Sequence, residues 1–445
     1  MSTLSPLGYK GTRDYYPEDK RVQNYIFATW RQVVERHGYQ EYGAPLLEPL
    51  DVYAAKSGQE IANEQTYSFV DRGDRVVAIR PEMTPSISRM VAARRQELGY
   101  PARLYSIANF MRYERPQRGR EREFWQLNAD IFGVDSVLAD AEVIGLAYEI
   151  MTAFGATDDT YVIRVNNRNL INHMMASYLE LDAAKSQAMI KLLDRKDKMD
   201  IEEFTAQAAA IFPPESAEQG LRKLGQLVSA QTVADLPAEL QNVSAVKELQ
   251  ELFDTLKTAG VTNAKFDVTL MRGFDYYTGM VFEVFDLHPD NNRAMFGGGR
   301  YDGLVGLFGA EPIPTVGFAP GLTTTELFLR SHDLLPKLPS TTEIGIVVID
   351  DSIEAALDVA RQLRSEGVNV EVDISGRKFD KQLKAVIKKD IPYIVFVGSD
   401  EIRDQLYTFK DTATTDEEKL SIARIVSHVK DHRRKSSDDD DELFA

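Results

Sequence analysis

The stretch that most restricts how this chain can fold is residues 103–133, RLYSIANFMRYERPQRGREREFWQLNADIFG. It reads as a strand, a charged loop and a returning strand. Side chains on a strand point to opposite faces with period two. On the outward arm Phe110, Arg112 and Glu114 alternate with Met111 and Tyr113, so Arg112 and Glu114 share a face. On the return arm Gln126, Asn128 and Asp130 share one face, while Trp125, Leu127, Ala129 and Ile131 form the other. The apolar face belongs on a core. A polar face alone is ordinarily just half-exposed. Here the connecting loop adds Arg115, Arg118, Arg120 and Arg122. Guanidiniums gathered beside a polar sheet face match a polyanion, phosphate above all.

With 445 residues the chain has room for two or three domains. Its 43% hydrophobic and 27% charged residues are the balance of a soluble globular protein. No apolar run approaches a membrane span, and the opening MSTLSPLGYKGTRDYYP has no apolar signal core. A cytoplasmic protein with no membrane partner is expected. There is no cysteine, which excludes disulfides, zinc–thiolate sites and cysteine nucleophiles. The six histidines lack metal-ligand spacing, so no protein-held metal is expected. A net charge of −17 argues against a protein that coats nucleic acid non-specifically. Any nucleic-acid site must be a local basic patch. Residues 436–442 (SSDDDDE) contribute to that charge and read as a solvated, disordered tail.

Along the chain, an aromatic loop at residues 9–17 precedes a helix spaced by Val22, Ile26, Trp30, Val33 and Val34 and stopped at Gly38. Residues 39–48 look extended and broken by Pro45, which suits an edge strand or an interface bend. A short hairpin at residues 67–79 runs into Arg80-Pro81-Glu82-Met83-Thr84-Pro85, where Thr84 fits an N-cap and Pro85 the first helical position. Glu82 then stands at the open end of a strand. From Arg168 to about Leu256 the sequence reads as several helices. Strands return over residues 266–285, with Arg272-Gly273-Phe274-Asp275-Tyr276-Tyr277 in a glycine-flanked cluster. Gly297–Gly299 before Arg300-Tyr301-Asp302 allow close backbone approach but are not a P-loop. After a proline-marked linker, strands and helices alternate from residue 344 to 397, the pattern of a small parallel α/β domain. Lys381, Lys384 and Lys388 share a face of one of its helices.

These segments together resemble one family, histidyl-tRNA synthetase, a class II aminoacyl-tRNA synthetase. GTRDYYP, RPEMTP, the 103–133 hairpin, RGFDYYTG, GGGRYDGL and the C-terminal SGRK follow one another in the family's order over nearly the whole chain. The hairpin resembles class II motif 2, and Pro45 the motif 1 proline at a dimer interface. The resemblance implies an α+β fold: an antiparallel catalytic sheet with flanking helices, and a C-terminal α/β anticodon-binding domain. The catalytic domain then occupies residues 1–167 and 258–332, around a helical insertion at 168–257. Residues 333–342 are a linker, 343–432 the anticodon-binding domain and 433–445 the acidic tail.

The implied reaction is histidine–tRNA ligation. The histidine carboxylate attacks the α-phosphorus of ATP, pyrophosphate leaves, and a terminal ribose hydroxyl of histidine tRNA attacks the adenylate. Such chemistry rests on positioning and charge stabilisation by arginines and Mg²⁺. By the resemblance, Arg112 holds the α-phosphate and Arg272 stabilises its developing charge, Arg120 lies near the outer phosphates, and Glu114 lies near the adenine. Glu82, Thr84 and Gln126 match the ammonium site of histidine; Asp130 and Tyr277 match the imidazole readers, with Tyr276 beside them. Many members carry glutamate where Asp130 stands. Arg115 and Gln117 match the loop that meets the tRNA acceptor end, and Arg377 and Lys378 fall in the anticodon domain. A homodimer is implied.

One departure is notable. The family's motif 3 reads roughly G-F-A-x-G-L-E-R, and its arginine stacks on adenine and meets the γ-phosphate. Here Gly317–Leu322 match, but Thr323 and Thr324 replace the last two residues. That departure favours an alternative, a non-catalytic histidine-binding paralogue such as the regulatory subunit of ATP phosphoribosyltransferase. Arg112, Arg120, Arg272 and the complete C-terminal domain oppose it.

Overall fold

The structure is a computed structural model that describes residues 4–54, 64–271, 276–291, 293–414 and 416–442. The chain divides into two compact units, with the main break between Leu335 and Pro336 and with Pro17–Arg21 grouped with the second.

The first unit is built on an eight-stranded sheet. Its strand order is Gln40–Glu41, Ala102–Met111, Glu123–Phe132, Thr315–Phe318, Ala294–Arg300, Met280–Asp286, Tyr161–Asn167 and Ala264–Phe266. The inner strands all pair antiparallel. The short strand at each edge joins parallel. The antiparallel catalytic sheet expected from the resemblance is therefore present, with a parallel strand added at either end.

Two residue patterns fix the centre of this sheet. The hairpin pairs in register from Ala102↔Phe132 to Met111↔Glu123, with Ala108 opposite Gln126 and Leu104 opposite Asp130. The strand ends at Met111, so Arg112 and Glu114 sit just beyond it, on the loop. The helix Pro17–Arg36 starts with proline and two acids in its first turn and ends on Arg36, in keeping with the helix dipole. It buries Ile26, Trp30, Val33 and Val34, and Phe27 meets Trp125 of the return strand at 5.4 Å between ring centroids. Each large side chain so buried contributes roughly 1.5–3 kcal/mol. The return strand does not have the half-exposed polar face that alternation alone would give. Asn128 and Asp130 are as buried as Leu127 and Ile131, because the cavity wall covers them.

The helix after RPEMTP spans Thr84–Ala93, and its N-cap is Met83. Thr84 is the first helical residue, not the cap, and Pro85 is the second. The reason is a tertiary contact: the Thr84 hydroxyl is spent on the Tyr276 phenol instead of a backbone amide. Helices occupy Arg168–His173, Ala183–Leu193, Ile201–Ile211, Ala217–Ser229 and Ser244–Thr258, between the strands Tyr161–Asn167 and Ala264–Phe266. A separate three-stranded sheet of Leu47–Pro49, Val76–Ile79 and Ser68–Val70 leaves Leu47, Phe69, Val70 and Val76 exposed.

In the second unit three parallel strands, Val370–Val372, Ile344–Val348 and Tyr393–Val397, carry two more antiparallel strands at one edge, Tyr407–Asp411 and Glu417–Leu420. The parallel pattern of the sequence stops short of these last two. The final helix is Ile422–Glu442 and runs through the segment that composition marks as a disordered tail. Its buried Ile425, Val426 and Val429 anchor the preceding turns, from which the helical backbone continues. No helix among the described residues is long and apolar enough to cross a membrane.

Candidate active site

A cavity of about 1030 Å³ opens on the polar face of the central sheet. Its lining includes Glu82, Thr84, Arg112, Glu114, Gln117, Arg120, Gln126, Asp130, Tyr276 and Tyr277. Residues scattered over two hundred positions of sequence thus meet in one place. Arg272 lies outside the described residues. Arg115 is exposed and is not among the lining residues. Pro45 is exposed beside the three-stranded sheet. Arg377 and Lys378 belong to the second unit, on an exposed loop that opens the helix Phe379–Lys388. Arg377 there donates to Ser375 Oγ at 2.7 Å.

The floor of the cavity is built around Asp130. Its carboxylate accepts a hydrogen bond from the Tyr301 hydroxyl through Oδ1, while Oδ2 has no hydrogen-bond partner among the described residues. Burial pushes the Asp130 carboxyl up to about 7, and the Tyr301 hydroxyl pulls it back down. Gly317 faces Asp130 in the neighbouring strand, and a Cβ there would lie 1.9 Å from Asp130 Oδ1. Only a residue without a side chain lets the carboxylate occupy that space.

Beside it stands a cluster of phenols. Tyr276 donates to Glu82 Oε2 at 3.0 Å. Its ring meets Tyr277 edge-on at 5.2 Å and Tyr301 at 5.7 Å between centroids. Burial first, then the Glu82 carboxylate, hold the Tyr276 hydroxyl in its protonated form well above its ordinary range. Glu82 is presented by a buried arginine. Arg80 donates to Asn109 O and Ala44 O, each at 2.8 Å, and locks RPEMTP against the outward arm of the hairpin. Arg112 Nε donates to Pro81 O at 2.9 Å, and its guanidinium lies 5.2 Å from the Phe124 ring centroid. From that anchor Arg112 lines the cavity.

The loop tip is a tight turn of its own. Gln117 and Arg120 exchange backbone hydrogen bonds of 3.1 and 2.9 Å across Arg118-Gly119, with Gly119 at φ +75°. Arg120 Nη1 contacts Glu114 Oε2 at 3.0 Å. Such a half-exposed pair is worth roughly 0–1 kcal/mol, so a phosphate can displace it. Arg122 does not face the cavity. It lies 4.2 Å from the Tyr113 ring centroid and donates to the Tyr9 hydroxyl at 3.1 Å, fastening the aromatic entry loop to the hairpin.

Several participants escaped the sequence reading. Tyr301 was hidden in the glycine-rich GGGRYDGL stretch, and nothing in local spacing aims it at Asp130. Asn128 shares the parity of Gln126 and Asp130, lines the cavity, and leaves Nδ2 without a partner among the described residues. Arg300 of the same stretch is structural. It is buried against Asp140 at 3.0 Å and donates to Val134 O and Ser136 O, pinning the helix Val137–Ala153. Burial pushes the Asp140 carboxyl up to about 6 even with Arg300 beside it.

At the motif 3 position Thr323 and Thr324 both line the cavity. Thr323 donates to Glu121 Oε2 at 3.1 Å, and Thr324 donates to Met295 O at 2.9 Å.

Comparison with known proteins places this geometry. The family model described as Histidyl-tRNA synthetase matches residues 11–324, and the model of an anticodon binding domain matches residues 343–432. The Histidine--tRNA ligase of Leptospira biflexa serovar Patoc is 40% identical over 434 residues, covering 97% of this chain and 99% of its own. That of Haloarcula marismortui is 36% identical over 417 residues, covering 93% and 94%. Among solved structures, the histidyl-tRNA synthetase from Nostoc sp. PCC 7120 superposes with a TM-score of 0.81 at 26% identity, covering 97% of this chain and 100% of the other. A Bacillus halodurans C protein titled ATP phosphoribosyltransferase regulatory subunit/histidyl-tRNA synthetase shares the fold, with a TM-score of 0.73 at 21% identity over 89% of this chain and 99% of its own.

Proposed function

The chain belongs to the histidyl-tRNA synthetase family and its activity is histidine–tRNA ligation; from that premise we propose how its own residues divide the work. The observation that carries the proposal is Asp130 Oδ2, a buried carboxylate oxygen without a hydrogen-bond partner among the described residues, in a cavity that also holds Arg112 and Glu82. A carboxylate so placed takes an imidazole N–H, and a substrate lacking that donor leaves it unpaired at a cost of about 1–3 kcal/mol. Tyr277 and the Tyr301 hydroxyl position the ring and the carboxylate. Glu82, Thr84 and Gln126 receive the α-ammonium. Arg112 binds the α-phosphate, where the histidine carboxylate oxygen forms its bond to phosphorus as the bond to the bridging oxygen breaks and pyrophosphate departs. Arg120 releases Glu114 to meet the outer phosphates, and Glu114 turns to the adenine. Arg272, outside the described residues, is assigned to the developing charge by its motif alone.

Among the described residues no group of three His, Asp or Glu side chains is arranged to hold a metal. Mg²⁺ is assigned to the ATP phosphates by the chemistry of the reaction, where it would offset their charge, with Glu121 of the cavity lining available to it. The exposed apolar residues of the three-stranded sheet, next to Pro45, support a homodimer through that face. The absence of cysteine supports a reducing, cytoplasmic setting. The second unit, with Arg377, Lys378 and the exposed Lys381, Lys384 and Lys388, takes the anticodon end of histidine tRNA. The domain bounds given above, with an insertion at 168–257 and a linker at 333–342, are kept as part of this reading.

Histidine-dependent ATP–pyrophosphate exchange tests the reading, and folded protein that performs none refutes it. Arg115 and Gln117 are assigned to the tRNA acceptor end. Gln117→Ala is expected to lower histidine-tRNA charging while leaving exchange nearly intact; equal losses in the two assays argue against that role.

Asp130 makes the site pH-dependent. Its folded carboxyl titrates at about 7, above the unfolded value of about 4. Its protonation therefore contributes stability that is fully present below about 4 and lost as pH rises through about 7. An imidazole N–H binds the ionised form, so histidine binding expels a proton and affinity climbs with pH up to about 7. Calorimetry in buffers of different ionisation enthalpy measures that release. Asp130→Asn should abolish it, and a release that persists in Asp130→Asn assigns the proton elsewhere.

A further inference from the structure

A bound nucleoside triphosphate brings more negative charge than Arg112 and Arg120 offset, and in this structure Arg120 is shared with Glu114. Among the described residues the cavity lining contains one further guanidinium, Arg293, just before the strand Ala294–Arg300. It lines the same cavity as Arg112, Arg120 and Thr324. Its Nη1 donates to Arg118 O at 3.1 Å, at the hairpin tip, and no carboxylate pairs with it among the described residues. A hydrogen bond to a carbonyl leaves its full charge available.

The wall around it is continuous. Thr324 Oγ1 donates to Met295 O at 2.9 Å and to Gly321 O at 3.1 Å, tying the start of the helix Leu322–Ser331 to the strand that follows Arg293. A Cβ on Gly119 would stand 3.8 Å from Thr324 Cγ2, so the hairpin tip closes against the same threonine. Threonine at 324 contributes no charge, whereas Arg293, just before the neighbouring strand, brings a cation to the same lining.

We infer that Arg293 binds the phosphate chain of ATP alongside Arg112 and Arg120, and that it holds the hairpin tip over the nucleotide. Arginine suits the task because its planar fork can keep the Arg118 carbonyl on one nitrogen and meet phosphate oxygens with the others. This inference rests on the ligase reading given above and adds to it a residue that the family motifs do not mark.

The test is steady-state ATP–pyrophosphate exchange with Arg293→Ala, Arg293→Lys and the double variant Arg293→Ala, Thr324→Arg. Arg293→Ala is expected to raise the KM for ATP about tenfold or more and to weaken inhibition by pyrophosphate in step, with the KM for histidine and inhibition by AMP unchanged. Arg293→Lys should lie between the two, since it keeps charge without the fork. Thr324→Arg should restore ATP affinity to Arg293→Ala by placing a guanidinium on the same wall. An unchanged KM for ATP, or a rise shared equally by histidine and not reversed by Thr324→Arg, overturns the inference. Absence of exchange in the unaltered protein overturns the ligase reading beneath it, so the two failures are distinguishable.

Discussion

Arg112→Ala is expected to lower histidine-dependent ATP–pyrophosphate exchange by about a hundredfold or more, the scale at which loss of one preorganised donor to a developing charge is felt. The geometry is demanding because Arg112 does two things. Nε holds Pro81 O at 2.9 Å, which fixes the guanidinium plane and the backbone leading to Glu82. The stack on Phe124 removes another degree of freedom. A phosphate therefore meets a donor already in place, with little reorganisation left to the transition state. Lysine keeps the charge but not both contacts, so Arg112→Lys should recover only part of the rate. Histidine binding, read by calorimetry, should fall far less than exchange, because Asp130 and Tyr301 are untouched and Arg112 reaches Glu82 only through the backbone at Pro81. A fall of less than about tenfold, or about 1.4 kcal/mol in barrier, would remove Arg112 from the reacting phosphate.

The second large effect is structural. Gly317→Ala should destabilise the first unit and abolish histidine recognition together. The added carbon would stand 1.9 Å from Asp130 Oδ1 and 2.8 Å from Ala129 O. Asp130 cannot simply turn aside, because the Tyr301 hydroxyl holds that same oxygen. Overpacking of a sheet core costs about 1–3 kcal/mol when neighbours can shift, and here the neighbours are a paired strand and a fixed carboxylate. Thermal melting reads the loss. Adding Asp130→Ala to Gly317→Ala should recover much of the stability, because the two sites clash directly and their effects are not additive. It should not recover exchange, since the carboxylate is gone. If the double variant melts no higher than Gly317→Ala, the clash with Asp130 is not the cause.

Much of this site was legible in the residues of the hairpin. Period-two alternation put Gln126 and Asp130 on one face before any relative was considered, while Arg112 and Glu114, read as a face of the outward strand, lie on the loop beyond its end at Met111. Alternation is a local property of extended backbone, so it survives without knowledge of partners. The same rule says nothing of burial: alternation alone leaves a polar face half-exposed, and the arginines of the loop were what turned the reading toward a ligand, whereas Asn128 and Asp130 are in fact both buried. The capping signal misplaced Thr84 by one position, because the competing use of its hydroxyl, the Tyr276 phenol, lies far away in sequence.

What the sequence determined by itself was the order of segments, the α+β class, the cation-rich hairpin and the family, because each is written in neighbouring residues or in their succession. Tertiary structure decided the rest. Tyr301 reaches Asp130 across 171 residues, and Tyr276 reaches Glu82 across 194. Gly317 must be glycine only because Asp130 is its register partner, and Arg293 joins the ATP wall only because the hairpin tip folds against its strand. These are contacts between elements, set by strand order and register, and no pattern within a single segment encodes them.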